Sequence, residues 1–327
     1  MSSKPAARTD KKSQPNGRPS VFPQVVVMLG VGATSTAAIL IRLAQQGAPS
    51  LVIAAYRMVL ATLILSPLAI FLHRKELKSL KQGDIRWLAL SGFFLALHFA
   101  TWISSLQYTS VASAVVLVAT NPLWVGLFSW LFLKEKINRW VVVGMLVALM
   151  GGLLISLSDA TGKGGIAFSG DGSGRSLWGD FLALLGALFG AGYIIIGRKL
   201  RAFTSLPVYT FMVYGVAGVM LLITVIAVRL PLTGYEPQTY LWFLLLALVP
   251  QLIGHSSINW GLRYLSAAFV AIVLLSEPIG SSLLAVFLLH ETPTAVKVAG
   301  GVLILLGIGI ASLLEHGKTS GGIASPD

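Results

Sequence analysis

The sequence predicts an all-α integral membrane protein, ten transmembrane helices arranged as two inverted five-helix repeats. Three observations lead there. Of 327 residues, 55% are hydrophobic and 11% charged, against about a quarter charged in ordinary soluble domains. Ten apolar runs each approach the roughly 20 residues that a helix needs to cross a hydrocarbon core. One half of the chain also aligns with the other at a single offset. Burying this much apolar surface in a water-soluble core would leave too little polar surface to cover it. That excludes an ordinary cytosolic enzyme, a disordered chain and a nucleic-acid module. The net charge of +12 is the excess expected of cytoplasmic loops, not a nucleic-acid footprint. With no cysteine, there is no disulfide framework, thiol nucleophile or thiolate metal site.

The runs, called spans one to ten below, fall at 22–41, 50–72, 87–106, 111–133, 139–157, 178–197, 207–228, 239–260, 266–289 and 294–314. Span one is no cleaved signal: it is too long, lacks a small-x-small cleavage site, and nine more follow. Residues 1–20, basic and rich in Pro, Ser and Lys, read as a disordered cytoplasmic tail, and 315–327 as a second one. The Gly/Ser-rich stretch 158–177 reads as a flexible periplasmic linker between repeats at 21–157 and 178–314. With the N-terminus inside, 18 Lys and Arg lie in cytoplasmic segments and five outside, while Arg57 falls within span two. This asymmetry sets both termini in the cytoplasm.

Residues 108–157 align without gaps to 264–313, an offset of 156, with 13 of 50 positions identical. The matches include Tyr108/Tyr264, Pro122/Pro278, Glu135/Glu291, Gly144/Gly300 and Gly151/Gly307, and the same offset pairs Gly30 with Gly186 and Arg42 with Arg198. Apolar composition alone would align Leu with Leu, not these residues in one register. Five spans per half force the second half to enter from the opposite side. Inverted repeats of this kind recur in secondary transporters, with the substrate site near the midplane between the halves.

Tyr108-Thr-Ser-Val-Ala-Ser, Asn121-Pro122, Leu133-Lys-Glu135 and Gly144…Gly151, with second copies at Tyr264-Leu-Ser-Ala-Ala, Glu277-Pro278, Glu291 and Gly300…Gly307, resemble the EamA-type ten-helix transporters of the drug/metabolite transporter superfamily. The resemblance covers about residues 22–314. It implies export of amino acids or other small metabolites across the cell inner membrane by alternating access. It also implies a central cavity lined by spans three, four, eight and nine with one and six, and spans five and ten at the periphery. The partners expected are a small-molecule substrate and the lipid bilayer, with protons and a homodimer as open options. No cofactor, metal or nucleic acid is called for.

An ionisable side chain near the bilayer centre costs about 2.5–3.5 kcal/mol on insertion scales, so each one needs a reason. Glu277 lies roughly 16 Å into span nine at 1.5 Å per residue, about mid-depth. Pro278 after it removes a backbone donor. The carboxylate can hold a proton, a cation or a substrate amine, or be a protonated packing group. Asn121, before Pro122, is its neutral partner in the first repeat. His98 and Trp102 share a face of span three, and Gln251, His255 and Asn259 form an i, i+4, i+8 stripe on span eight that should face the cavity. A histidine there can relay protons or bind a carboxylate, or simply fix helix packing. Arg57 either snorkels to the outer headgroups or meets a substrate carboxylate or the cavity wall. Tyr193 in span six is a weaker candidate. Asp180 reads as an N-terminal cap of span six. Small residues at Gly144, Ala148, Gly151, Gly186 and Gly190 predict close helix contact, within the chain or between protomers.

No HExxH, P-loop or dinucleotide fingerprint is present. An uncoupled facilitator or importer of the same fold is the nearest rival. An integral-membrane enzyme is the rival from another class, and it would need a converging nucleophile–base pair that two histidines on separate helices hardly supply.

Overall fold

The computed structural model describes residues 22–109, 114, 117–134, 138–161, 174–277, 279–280 and 295–315. The expected N-terminal tail, residues 162–173 of the expected linker, residues 316–327, Glu135, Pro278 and Glu291 lie outside them. The chain is an all-α membrane protein. Among the described residues, six helices are long and apolar enough to cross a bilayer: Phe22–Gln45, Ser50–Leu72, Gln82–Ser105, Leu177–Arg201, Leu206–Ala227 and Pro237–Gly261. They are spans one, two, three, six, seven and eight. Shorter apolar helices at Asn121–Leu133, Arg139–Leu154 and Val298–Ala311 belong to spans four, five and ten. Ala267–Leu274 is the described helix of span nine.

The helices pair as a two-fold operation requires. Span two packs on seven, four on nine and five on ten, while span one lies against eight as span six lies against three. Glycines carry the detail. A Cβ on Gly144 would sit 2.5 Å from the carbonyl oxygen of Gly307, and one on Gly307 would sit 2.4 Å from that of Gly144. Gly151 meets the Gly300 carbonyl oxygen at 2.5 Å in the same sense. Gly144 therefore packs on the repeat equivalent of Gly151, and Gly151 on that of Gly144, so spans five and ten meet backbone to backbone. The small-residue face that could have joined protomers is used inside the chain. Leu146, Met150, Leu305 and Leu306, each half exposed or more, cover the opposite faces and meet lipid.

Among the described residues, five spans are not regular helices, and span two is the simplest case, ending in a π-helix at Leu68–Leu72. Span one breaks at Ser35–Thr36 between helices Phe22–Thr34 and Ala37–Gln45. Here Thr34, Ser35 and Thr36 turn their hydroxyls back onto the Val31 and Ala33 carbonyls at 2.8–2.9 Å, competing with the ladder. Spans four and nine break just before Asn121 and Glu277, at Ala119–Thr120 and Leu275–Ser276. Thr120 Oγ1 donates to the Leu117 carbonyl at 2.6 Å, and Ser276 Oγ to that of Val273 at 2.7 Å. These are equivalent bonds in the two repeats, and in span four the helix restarts with Pro122 in its first turn. Span eight widens into a π-helix, Ala247–His255, around Pro250, where the ring cannot join an α ladder.

Asp180 is not the cap the sequence suggests. The helix starts at Gly174, so Asp180 sits beyond the first turn and accepts a 2.7 Å bond from Thr109 Oγ1.

Candidate functional site

The breaks and the π-helix gather polar side chains where the halves meet. Arg57 of span two is fully buried, and snorkelling to the headgroups is overturned by its partners. Its Nε donates to Gln251 Oε1 at 2.8 Å, and its guanidinium carbon lies 4.3 Å from the centre of the Phe99 ring. Gln251 is fully buried too. Phe99 meets the His255 ring edge-on at 5.5 Å. Phe99 and His255 are repeat equivalents, and equivalent residues can touch only on the pseudo-two-fold axis. The cluster is therefore central to the molecule.

His98 stands next to it on span three. Its Nδ1 is 2.8 Å from the Gly186 carbonyl, which can only accept, so Nδ1 carries a proton and Nε2 is left for other partners. Trp102 stacks near-parallel on the ring, centroids 6.0 Å apart. Gly190 makes the room: a Cβ there would be 2.9 Å from His98 Nδ1 and 3.0 Å from Asn121 Nδ2. Asn121 donates to the Ala187 carbonyl at 2.8 Å. At the equivalent contact between spans one and eight the sizes are exchanged, with Thr34 against Gly254. The fold is symmetric and the site is not.

Glu277 is half-buried just past the break in span nine, and its backbone carbonyl lies 3.0 Å from Ser35 Oγ at the break in span one. Its carboxylate and the Arg57 guanidinium act on each other electrostatically. His98 and His255 also feel the Arg57 charge. Arg57, Gln251 and His255 thus meet Phe99 at the axis, His98 lies beside Phe99 with Trp102 and Asn121 next to it, and Glu277 feels the Arg57 charge.

Tyr193 and Asn259 are drawn elsewhere. Tyr193 Oη donates to Asn259 Oδ1 at 2.7 Å, and Asn259 Nδ2 donates to Tyr214 Oη at 3.2 Å. Ser256 Oγ lies 3.4 Å from Tyr214 Oη, and Arg201 Nε donates to the Asn259 carbonyl at 3.0 Å. Asn259 is fully buried, with both ends of its amide engaged. This network ties spans six, seven and eight together on one side of the cluster. The stripe on span eight divides accordingly: Gln251 and His255 face the axis, and Asn259 is tied into packing. Phe99 and Tyr214 went unremarked in the sequence, and Arg201, counted there among the cytoplasmic loop charges, is buried. Pro250 and the Thr34-Ser35-Thr36 run were the available signals for the distorted helices.

Two five-helix halves are thus related by an axis that passes through a buried polar cluster. Residues 22–157 and 177–313 each match the model of the EamA-like transporter family. The chain belongs to that family. Among relatives, this EamA member is 28% identical over 286 residues to the pseudopaline exporter CntI of Pseudomonas aeruginosa, covering 86% of this chain and 93% of that one. It is 26% identical over 270 residues to the mouse solute carrier family 35 member G1, covering 80% of this chain and 70% of that protein. An uncharacterized transporter of Clostridium kluyveri matches at 26% over 250 residues, 76% of this chain and 78% of that one. A solved crystal structure superposes with a TM-score of 0.74 over 91% of this chain and 98% of that one, at 18% identity, a likeness of fold alone. The protein is a multi-pass membrane transporter of the drug/metabolite transporter superfamily.

Proposed function

We propose that this transporter exports a small polar or amphipathic metabolite across the cell inner membrane by alternating access, with both termini in the cytoplasm. The observation that carries the reading is the polar cluster on the axis between two inverted halves, where neither half alone completes a site. Rocking one half against the other exposes such a cluster to each side in turn without moving it far. The interrupted backbone of spans one, four and nine supports this, because irregular backbone at membrane depth is tolerated where it lines a cavity or is buried in protein. Outward direction is supported by the relative named as an exporter, and the orientation by the 18-to-five split of loop charges.

Proton coupling is assigned to Glu277. Its carboxylate can carry one proton, and among the described residues it is the acid that acts on the charge of Arg57. His98, with Nε2 unclaimed by Gly186, and Trp102 offer a polar and an aromatic contact to the substrate. The extracellular metabolite profile of cells overproducing the chain tests the function, compared with cells carrying the Glu277→Gln variant. A compound enriched outside only with the wild type names the substrate and places Glu277 in the cycle. Equal enrichment keeps the exporter and removes Glu277 from it. No enrichment with correctly inserted protein rejects export.

A further inference from the structure

We propose that the Nη1/Nη2 edge of Arg57 is a subsite for a carboxylate carried by the transported molecule, an inference that rests on the transporter reading above. Arg57 is fully buried, and neither Nη atom has a hydrogen-bond partner among the described residues. Only Nε is used, by Gln251 Oε1 at 2.8 Å. A guanidinium has five N–H donors and no acceptor, so four donors are buried without a protein acceptor at hydrogen-bonding distance. Burying a cation in this way is costly unless an anion joins it.

The surroundings fix which edge is unpaired. Gln251 occupies the Nε side, and the Phe99 ring covers one face at 4.3 Å. The bond also fixes the Gln251 amide, whose oxygen must face Nε. Its Nε2 then lies towards the Tyr214 hydroxyl. What remains is the pair of parallel N–H vectors on Nη1 and Nη2, a fork that matches the two oxygens of a carboxylate. Gln251 of span eight bonds Arg57, and the guanidinium charge acts on His98 of span three, Tyr193 of six, Tyr214 of seven, His255 of eight and Glu277 of nine. Glu277 is the only acid among them, and it makes no hydrogen bond to either Nη atom. With one guanidinium and the acid Glu277 already acting on it, a singly charged carboxylate fits better than a phosphate dianion.

The test is thermal unfolding of the full chain in detergent with L-leucine, L-histidine, L-glutamate and succinate. Each is paired with the analogue whose carboxylates are replaced by carboxamides, and inorganic phosphate is run beside them. At least one carboxylate should raise the melting temperature while its carboxamide does not. Arg57→Lys, which keeps the charge and loses the fork, should weaken that response roughly tenfold, and Arg57→Gln should abolish it. If Arg57→Gln does not fold, the lysine variant and the carboxamide pairs still decide. No stabilisation by any carboxylate, an equal response to carboxamides or phosphate, or a response retained in Arg57→Gln or undiminished in Arg57→Lys overturns the subsite. Failure here with export intact leaves the proposed function standing. Carboxylate binding by a chain that moves nothing across a membrane keeps the subsite and rejects the function.

Discussion

Phe99 and His255 hold equivalent positions in the two repeats and meet each other, centroids 5.5 Å apart. The two-fold axis of the fold runs between an apolar ring and a titratable one. Arg57 lies over the Phe99 side, so the axis marks the point where the repeats stop being alike.

The Gly144–Gly307 contact should tolerate no added carbon. Gly144→Ala or Gly307→Ala places a Cβ within 2.5 Å of a backbone oxygen, and overpacking of this kind costs about 1–3 kcal/mol. Thermal unfolding in detergent should show a melting point several degrees lower for each variant. Gly152, with nothing within 4 Å of its Cβ position, is the control, and Gly152→Ala should melt at or above the wild type, because alanine is the better helix residue.

Gly190→Ala should separate transport from folding. The added methyl presses on His98 Nδ1 and Asn121 Nδ2 and disturbs the His98–Gly186 bond, while alanine is otherwise the better helix residue. Export should fall about tenfold or more, the scale of a lost polar contact of about 1.4 kcal/mol, with the melting point little changed. Equal export by wild type and variant removes His98 and Asn121 from the site.

The Tyr193–Asn259–Tyr214 network predicts the opposite pattern. Tyr193→Phe leaves the fully buried Asn259 Oδ1 without its donor, a loss of about 1–3 kcal/mol. Stability should drop, and export normalised to folded protein should hold. A variant as stable as the wild type that no longer transports would put Tyr193 in the substrate path.

Coupling through Glu277 is read from direction as well as rate. In everted vesicles, an acidic interior should speed uptake by the wild type, because each proton leaving drives a substrate in. Glu277→Gln carries no exchangeable charge there, so its uptake should ignore the gradient while downhill flux continues. A gradient response that survives the substitution assigns coupling to another group.

The absence of cysteine makes the orientation directly testable. Single cysteines at Lys78 and Arg229 fall in loops assigned to opposite sides. A membrane-impermeant maleimide should label Arg229→Cys in intact cells, and Lys78→Cys only after lysis. The reverse pattern inverts the topology.

Depth was legible in the sequence, and facing was not. Hydropathy and loop charge place Arg57, Glu277, His98 and Gln251 inside spans because transfer into hydrocarbon is costly for each one regardless of its neighbours. The repeat offset further identified Asn121 as the counterpart of Glu277. Where each side chain points depends on backbone irregularities a few residues long. Pro250 widens span eight, so Gln251 reaches Arg57 while Asn259 turns to Tyr193 and Tyr214. Asp180 was misread for a similar reason: the helix runs on past the apolar stretch, to Gly174.

By itself, then, the sequence determined a ten-span, two-repeat membrane protein and the depth of its polar residues, because span length, loop charge and internal homology are additive along the chain. Only the tertiary structure decided that Arg57 is buried against Gln251 and Phe99, that Tyr193 and Asn259 bind each other, and that Phe99 faces His255 on the axis. Those pairings join residues from different spans. They are set by how glycine contacts and broken turns let whole helices approach, which no local stretch of sequence contains.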